Sequence, residues 1–413
     1  MHTESPRLAA LSLLSAAAVR ERAHEMAALA IEGRLDHLTV DLARLPAVAD
    51  YVVDVIRDNY PSLRVPFHAR WRHFVVAGRD LWAERAAAIS WPDAASRMRA
   101  AADLAIVSVL LDAGAGPDWR YRDPATGAAL GRSEGLALAS LRMFEAGAFS
   151  NDPADPLRVD AARLAVITPA DLASGMQVND ANPLVGLEGR ATLLARLGTT
   201  VAGNAAVFGR ADVPRPGGLL DYVRTEANGA AVAAPHILTS LLTHLAPIWP
   251  GRLRLGGVAL GDTWRHLAIS RNDATDGFVP FHKLSQWLAY SLIEPLRDAS
   301  TAVTDIDGLT GLAEYRNGGL FVDTDVIRLR DAADAQRSNS VDSPVVVEWR
   351  ALSVALLDRI APLVRERLGV SAQAFPLSCV LEGGTWAAGR RIARDKRLDG
   401  GPPIRVASDG TVF

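Results

Sequence analysis

Apolar residues recur at helical spacing in one segment after another along this chain, and this periodicity constrains its fold more than any other feature. Between residues 41 and 58, for example, Leu45, Val48, Val52 and Ile56 fall on one side of a helix. The same spacing predicts further helices over residues 5–33, 90–111, 183–197, 234–246, 278–292 and 344–368. We therefore predict a mainly α protein, folded as a single large helical globular domain over residues 1–413 with a few short strands.

Capping residues set the predicted boundaries of these elements. Ser90 precedes a Trp-Pro pair and is expected to cap the helix that follows, and Gly369 is expected to end the helix over 344–368. Residues 104–111 are apolar on nearly every side, so their helix is expected at the centre of the core. The turn-rich stretch 211–218 is the candidate seam between two subdomains.

Composition excludes several classes of protein. The 413 residues are 49% apolar, which is enough for a sizeable core, and the net charge is −3. The 44 Lys and Arg residues are dispersed, which predicts no binding to bulk nucleic acid or to anionic membranes. The one cysteine, Cys379, excludes a disulfide scaffold and a thiolate-rich metal site, and it indicates a reducing compartment.

The N-terminal run from Leu8 to Val19 is apolar enough to pass for the core of a signal peptide. However, Glu4 and a single Arg precede it, and the apolar pattern continues at helical spacing through Ile31. We therefore predict a folded helix over this segment. Since no apolar run is long enough to span a bilayer, we expect a soluble, cytoplasmic protein.

A polar tetrad, Glu314-Tyr315-Arg316-Asn317, stands between apolar runs in the stretch 305–323 and is followed by two glycines. Polar groups in such a setting tend to be half buried, and buried charges need partners. Consecutive glycines let a ligand approach the main chain. One interpretation is a functional site around Glu314. The other is a Glu–Arg ion pair at a helix end, with the glycines as its cap.

A basic loop follows two prolines. His68, Arg70 and Arg72 alternate there with aromatic residues in the run 67–74. Cationic and aromatic side chains together suit a phosphate attached to a flat or sugar-like group. A solvated basic loop anchored by its aromatics is the alternative interpretation.

Two further polar stretches are candidates for lining a ligand site. The loop 112–131 contains Trp119 and Tyr121, and the island 175–183 contains Gln177 beside several Asn and Asp residues. Amides recognise hydroxyl and amide groups well, but the same residues also form ordinary turns.

The helix predicted over 278–292 carries Lys283 and Gln286 on a face separate from its apolar stripe. His282 stands near its N-terminus, so free N–H groups, His282 and Lys283 together would make an anion site. The alternative is a surface lysine that lies along its own helix.

Common catalytic motifs are missing from the sequence. It has no Walker A loop, no GxGxxG after a strand, no HExxH and no GxSxG. No histidines stand at metal-ligand spacing, and Cys379 lies in an apolar setting that favours the core, so we predict no metal and no cofactor. This pattern points to chemistry performed by a carboxylate, with cationic and aromatic groups holding the ligand.

Several strings resemble the fungal and bacterial uracil-catabolism family called URC four or urg three. The resemblance spans most of the chain and rests on residues 65–74, 110–123, 132–140, 177–190, 279–296, 309–323 and 381–413. Membership implies a place in a pathway that opens the uracil ring and frees urea from a ribose-linked intermediate.

More distantly, the chain is similar to the queuosine-salvage nucleotide hydrolases, which are largely helical and cleave an N-glycosidic bond. They share an acidic-Tyr-Arg signature, matched by Glu314-Tyr315-Arg316, and a helix start matched by residues 281–286. They have Asp in place of Glu314, and Val-Pro-Gln in place of 317–319. This likeness implies a fold similar to the helical N-glycosylases.

These resemblances imply hydrolysis of a ribosyl–nitrogen bond, in ribosylurea or its 5-phosphate. Glu314 would stabilise the positive charge of the sugar, and Arg316 would keep Glu314 ionised. Tyr315 or Asn317 would assist departure of the urea nitrogen. The expected partner is therefore a small ribosyl or ribosyl-phosphate substrate. Its contacts are expected from His68, Arg70, Arg72, Trp119, Tyr121, Gln177, His282, Lys283 and Gln286.

Two alternatives stay open. One is an amidohydrolase-type enzyme of the same pathway, which cleaves a ureido C–N bond without touching the sugar. The other is a non-catalytic binding or scaffold protein for pathway enzymes.

Overall fold

The computed structural model describes residues 5–210, 213–249 and 253–407, and it confirms the prediction of a mainly α protein. The longest helix runs over 25 residues, whereas no described strand exceeds three. The helices are α1 (Pro6–Ser12), α2 (Ala16–Ile31), α3 (Leu45–Asn59), α4 (Leu81–Ala87), α5 (Ala94–Leu110), α6 (Arg132–Glu145), α7 (Ala161–Ala165), α8 (Pro169–Gly175), α9 (Leu187–Ala202), α10 (Ala205–Phe208), α11 (Gly218–Glu226), α12 (Ala234–His244), α13 (Lys283–Asp298), α14 (Tyr315–Asp323), α15 (Pro344–Leu368), α16 (Leu377–Cys379) and α17 (Trp386–Lys396).

The strands form isolated two-stranded pairs. They are β1 (Leu38–Val40), β2 (Val75–Val76), β3 (Arg79–Asp80), β4 (Tyr121–Arg122), β5 (Ala129–Leu130), β6 (Val232–Ala233), β7 (Arg254–Leu255), β8 (Val258–Ala259), β9 (Thr263–Arg265), β10 (Phe278–Pro280), β11 (Val303–Thr304), β12 (Ile327–Leu329), β13 (Asn339–Ser340) and β14 (Val406–Ala407). The pairs β6–β11 and β13–β14 are parallel, and β1–β12, β2–β3, β4–β5, β7–β8 and β9–β10 are antiparallel.

The chain divides into two compact units, each made of discontinuous segments. Unit 1 comprises residues 1–68, 251–286 and 305–413, and unit 2 comprises residues 69–250 and 287–304. Of the predicted seam, residues 211–212 lie outside the described residues, and 213–218 lie within unit 2. The single domain and its seam stay predictions.

Unit 1 is organised around α15, which is buried along most of its length and packs against α2, α3 and α14. The predicted inward stripe of Val354, Leu357, Ile360 and Val364 is buried, as expected from its helical spacing. Gly369 ends the helix with a φ of 69°, a left-handed conformation that glycine adopts without a Cβ penalty. The prediction for 344–368 is therefore confirmed at both ends.

In unit 2, α5 is buried on every side from Ala100 onward, as its all-round apolar sequence predicts. The predicted cap is wrong, however, because the helix begins at Ala94, four residues after Ser90. Asp93 is the cap, and its carboxylate accepts a hydrogen bond of 2.6 Å from the N–H of Ser96. Asp and Ser are about equally favoured at an N-cap, so residue type alone does not choose between Ser90 and Asp93.

The prediction of a single helix over 5–33 is also wrong, because the segment forms two helices, α1 and α2, with a non-helical turn between them. Ser15 has an extended backbone and caps α2 by accepting the N–H of Ala18. The carbonyl of Leu13 accepts a hydrogen bond of 2.9 Å from Nε2 of His282. A contact with a residue so distant in sequence is invisible to local periodicity.

Among the described residues, no helix combines the length and the apolar character that crossing a bilayer requires.

Candidate functional site

The polar tetrad forms the start of α14. Glu314 is its N-cap: Oε1 accepts the N–H of Asn317 at 2.6 Å, and Oε2 accepts the N–H of Arg316 at 2.8 Å. An acidic side chain is favoured at this position, because the free N–H groups and the helix dipole are positive there. Glu314 is half buried, and these two hydrogen bonds fix the position of its carboxylate.

The two glycines lie inside α14 rather than capping a helix end. A Cβ at Gly318 would fall 2.4 Å from Oγ of Ser353 and 2.7 Å from Nε1 of Trp349. Both contacts are shorter than any real Cβ contact, so α14 approaches α15 this closely only because glycine lacks a side chain.

The guanidinium of Arg316 contacts the backbone of Gly400 and the ring of Tyr315. It donates a hydrogen bond of 2.6 Å to the carbonyl of Gly400 and lies 4.7 Å from the ring centre of Tyr315. The described contact between Arg316 and Glu314 runs through the backbone N–H. A role for Arg316 in keeping Glu314 ionised therefore stays a prediction.

Asn317 is fully buried, and only one of the two polar atoms of its side-chain amide has a hydrogen-bond partner among the described residues. Its Oδ1 accepts a hydrogen bond of 2.7 Å from Oγ1 of Thr385. Its Nδ2 is buried and has no hydrogen-bond partner within the described part of the chain. Leaving a buried amide N–H unpaired costs about 1–3 kcal/mol, so this atom is suited to bind an acceptor on a ligand.

The N-terminus of α13, where an anion site was predicted, is occupied by the carboxylate of Asp262. Its Oδ2 accepts the N–H of Lys283 at 3.0 Å, and the guanidinium of Arg350 donates hydrogen bonds to both of its oxygens. Burial alone would raise the pKa of Asp262, but the charge and hydrogen bonds of Arg350 bring that pKa well below its usual range.

His282 and Gln286 make buried contacts that position the backbone. His282 donates from Nε2 to Leu13, and burial lowers the pKa of its ring, so it adds no charge for a phosphate at neutral pH. Gln286 donates from Nε2 to Oγ1 of Thr310 and accepts the N–H of Thr310 at 3.1 Å. Thr310 belongs to the segment that leads into α14, so the start of α13 helps to position Glu314.

The predicted basic loop is divided between the two units. In unit 1, Nδ1 of His68 lies 2.6 Å from Oε2 of Glu382. In unit 2, Arg70 is fully buried and paired with Asp112 at 2.6 Å. Also in unit 2, the guanidinium of Arg72 contacts both carboxylate oxygens of Glu294, at 2.8 and 3.0 Å. Both arginines thus have carboxylate partners, and their role in binding a phosphate stays a prediction.

The sequence analysis does not single out Glu382, the carboxylate that pairs with His68. It lies in a π-helix, Val380–Thr385, that joins α16 to α17. Its signal is an acidic residue followed by two glycines inside an apolar run, as in the stretch around Glu314, and that likeness was a usable clue.

Trp119, Tyr121 and Gln177 come together in unit 2. Nε1 of Trp119 donates to the carbonyl of Met176 at 3.0 Å. The amide of Gln177 accepts the N–H and donates to the carbonyl of Arg122, at 3.0 and 2.8 Å, and Tyr121 is buried in β4. These contacts hold β4 in place, and the role of these residues in lining a substrate pocket stays a prediction.

Two cavities of unit 2 are lined by none of the predicted site residues. One, of about 590 Å³, follows α9 and includes Glu188, Arg196 and Thr199. The other, of about 480 Å³, includes Arg158 and Asp160. Within residues 5–210, 213–249 and 253–407, no cluster of three or more His, Cys, Asp or Glu side chains is arranged to hold a metal ion.

Comparisons with known proteins agree with the resemblance found in the sequence. Residues 12–413 match the family described as "Protein of unknown function (DUF1688)". The chain is 38% identical over 411 residues to "Protein urg3" of Schizosaccharomyces pombe, covering 97% of this chain and 98% of that protein. It is 39% identical over 416 residues to "Uracil catabolism protein 4" of Lachancea kluyveri, covering 92% and 93% respectively. The predicted family is thereby confirmed: the chain belongs to the family described as protein of unknown function DUF1688.

Proposed function

We propose that the protein acts in uracil catabolism and hydrolyses the ribosyl–nitrogen bond of ribosylurea or ribosylurea 5-phosphate, with Glu314 as the catalytic carboxylate. The name of the Lachancea kluyveri relative supports the pathway. The observation that carries the reaction is the fixed carboxylate of Glu314, with Nδ2 of Asn317 in the first turn of the same helix, which has no hydrogen-bond partner among the described residues.

Cleavage of a glycosidic bond passes through a transition state with positive charge on the sugar ring. A carboxylate close to C1 stabilises this charge and orients or deprotonates the attacking water. The two backbone N–H groups fix the position of Glu314 and leave further lone pairs on its oxygens for water and sugar. Preorganisation of this kind avoids reordering during the reaction.

The urea portion of the substrate offers a carbonyl oxygen, which only accepts hydrogen bonds. Nδ2 of Asn317 only donates, and it is buried without a partner in the part of the chain that is described. We assign Nδ2 of Asn317 as the hydrogen-bond donor to the urea carbonyl. The contact between its Oδ1 and Thr385 keeps the side-chain amide from flipping.

We assign the recognition of a 5-phosphate to Lys283, at the N-terminus of α13. Arg70 and Arg72 are paired with carboxylates, and burial lowers the pKa of the His282 ring. Lys283 begins α13, and α13 is tied to the segment before Glu314 through Gln286 and Thr310.

The test is incubation of the pure protein with ribosylurea and with its 5-phosphate, measuring free urea, free ribose and ammonia. The wild type is expected to release urea and ribose (or ribose phosphate) together. Glu314→Gln should lower kcat by about 10²–10⁴-fold, the usual cost of removing a general base.

Asp80→Asn is the matched control. Asp80 caps α4 by accepting the N–H of Ala83 at 2.9 Å, so it has the structural role of Glu314 without the proposed chemistry. Normal activity is expected from it. Release of ammonia without free ribose would point instead to cleavage of a ureido C–N bond, and binding without turnover would point to a binding protein; either result overturns the proposal.

A further inference from the structure

His68 and Glu382 form a pair that the reaction described so far does not use. The 2.6 Å separation between Nδ1 of His68 and Oε2 of Glu382 is short for a hydrogen bond between nitrogen and oxygen. The two side chains are only 6% and 12% exposed, so the pair is largely shielded from water. Because a carboxylate oxygen accepts, Nδ1 carries the proton of this bond.

The helical run that carries Glu382 also fixes the backbone of His68. The N–H of His68 donates to the carbonyl of Ser378 at 3.0 Å. The π-helix that follows widens the helix by one residue per turn, and such insertions are frequent at functional sites. Gly383 and Gly384 permit close packing, since a Cβ at these positions would lie 2.9 Å from Val65 and 2.8 Å from Val52.

The same run contacts the first turn of α14. Oγ1 of Thr385 donates to Asn317, and a Cβ at Gly389 would lie 2.0 Å from the carbonyl oxygen of Arg316. Between these two contacts, the ring of Trp386 lies 5.6 Å from the ring of His68. One helical run therefore contacts both the His68–Glu382 pair and the residues beside Glu314.

We propose that His68 is the proton donor for the departing urea nitrogen and that Glu382 is the positioning residue that orients and stabilises its imidazolium; this inference rests on the proposed function. Urea is a poor leaving group as an anion, so the nitrogen must gain a proton as the bond breaks. The amide of Asn317 donates a hydrogen bond but does not transfer a proton, and an ionised Glu314 has none to give.

The step balances as a hydrolysis. The C1–N bond breaks with its electron pair on nitrogen, and nitrogen takes a proton from His68. Water adds to C1 and gives its proton to Glu314. That proton passes to solvent, and His68 regains one from solvent. The carboxylate of Glu382 holds the imidazole in one tautomer and stabilises its charged form.

A pair of substrates tests this assignment: ribosylurea and 4-nitrophenyl riboside, whose phenolate departs without protonation. His68→Gln and Glu382→Gln should each lower urea release by about 10²–10⁴-fold, the range for a general acid, and leave nitrophenol release little changed. Glu314→Gln should lose both activities. His24→Gln is the matched control, because His24 pairs with Asp358 at 2.8 Å elsewhere in unit 1.

The outcomes separate this inference from the function on which it rests. Wild type that releases neither product from either substrate contradicts the proposed function. Active wild type with equal losses on both substrates, or with no loss of urea release, overturns the role of His68. Glu382→Asp keeps a carboxylate and is expected to retain part of the urea release; if it is folded and as inactive as Glu382→Gln, the positioning role is refuted.

Discussion

Arg350 and Asp262 form a bidentate ion pair, with 2.8 Å between Nη1 and Oδ1 and 2.7 Å between Nη2 and Oδ2. The same guanidinium donates from Nε to the carbonyl of Ala313, immediately before Glu314. Asp262 in turn accepts the N–H of Lys283. One buried ion pair thus connects the N-termini of α13 and α14, the two helices that carry the candidate site of unit 1.

Arg350→Met should destabilise the protein by about 3–5 kcal/mol at neutral pH, because it leaves the buried carboxylate of Asp262 unpaired. The folded-state pKa of Asp262 is lowered, so the contribution of the pair is full above the ordinary Asp pKa of about 4 and is lost as pH falls below it. Urea unfolding of wild type and variant at neutral pH and near pH 3 measures this. The difference should shrink in acid, and an equal difference at both pH values contradicts the assignment.

Lys283→Gln separates the two candidate substrates. Loss of a charge-assisted hydrogen bond, worth about 1.5–3 kcal/mol, should raise KM for ribosylurea 5-phosphate about 10- to 100-fold. Ribosylurea without phosphate should keep its KM, and it serves as the internal control. Steady-state kinetics on both substrates decides, and equal effects on the two would remove Lys283 from the phosphate site.

Asn317→Leu combined with Thr385→Val should lower the activity without lowering the stability of the protein. The double variant removes a buried donor that has no partner in the described structure, together with both partners of a hydrogen bond, a change that is often neutral or stabilising. Thermal unfolding should show no loss of stability, whereas kcat/KM should fall about 10- to 100-fold if Asn317 binds substrate. Full activity in a stable double variant would leave Asn317 with a packing role only.

Gly318→Ala should destabilise the protein by about 1–3 kcal/mol, the usual cost of overpacking, because its Cβ would collide with Ser353 and Trp349. Gly189→Ala in α9 is the matched control, since a Cβ there meets nothing within 4 Å, and it should stabilise by up to about 1 kcal/mol. Denaturant unfolding of both variants measures the contrast. Equal effects would indicate that α14 and α15 are not so closely packed.

Cys379 should resist modification in the folded protein. Burial raises the pKa of its thiol to about 12, and Sγ contacts the carbonyl of Val65 at 3.3 Å. At pH 8 the thiolate fraction would be on the order of 10⁻⁴, and the thiolate is the reactive form. Reaction with a disulfide reagent should therefore be slow until denaturant is added. Rapid labelling of native protein would contradict this burial.

Local features were predictable from the sequence wherever neighbours along the chain decide the conformation. The helix over 344–368 ends at Gly369 as predicted, since apolar spacing and a glycine cap act within a few residues. The helix predicted over 5–33 breaks at Leu13, whose carbonyl accepts from His282, and no local pattern contains that contact. The contact of Gln177 with the backbone of β4 likewise joins residues far apart in the sequence, and the role of Gln177 in a ligand site stays a prediction.

By itself, the amino-acid sequence determined the helical class and the family, because periodicity and motifs are properties of residue order. Only the tertiary structure decided which groups meet. It paired Glu382 with His68 across 314 residues, and it committed Arg70 and Arg72 to carboxylates. It also left the Nδ2 of Asn317 without a partner in the described structure. Hydrogen bonds and burial join residues by distance in space, and residue order does not encode that distance directly.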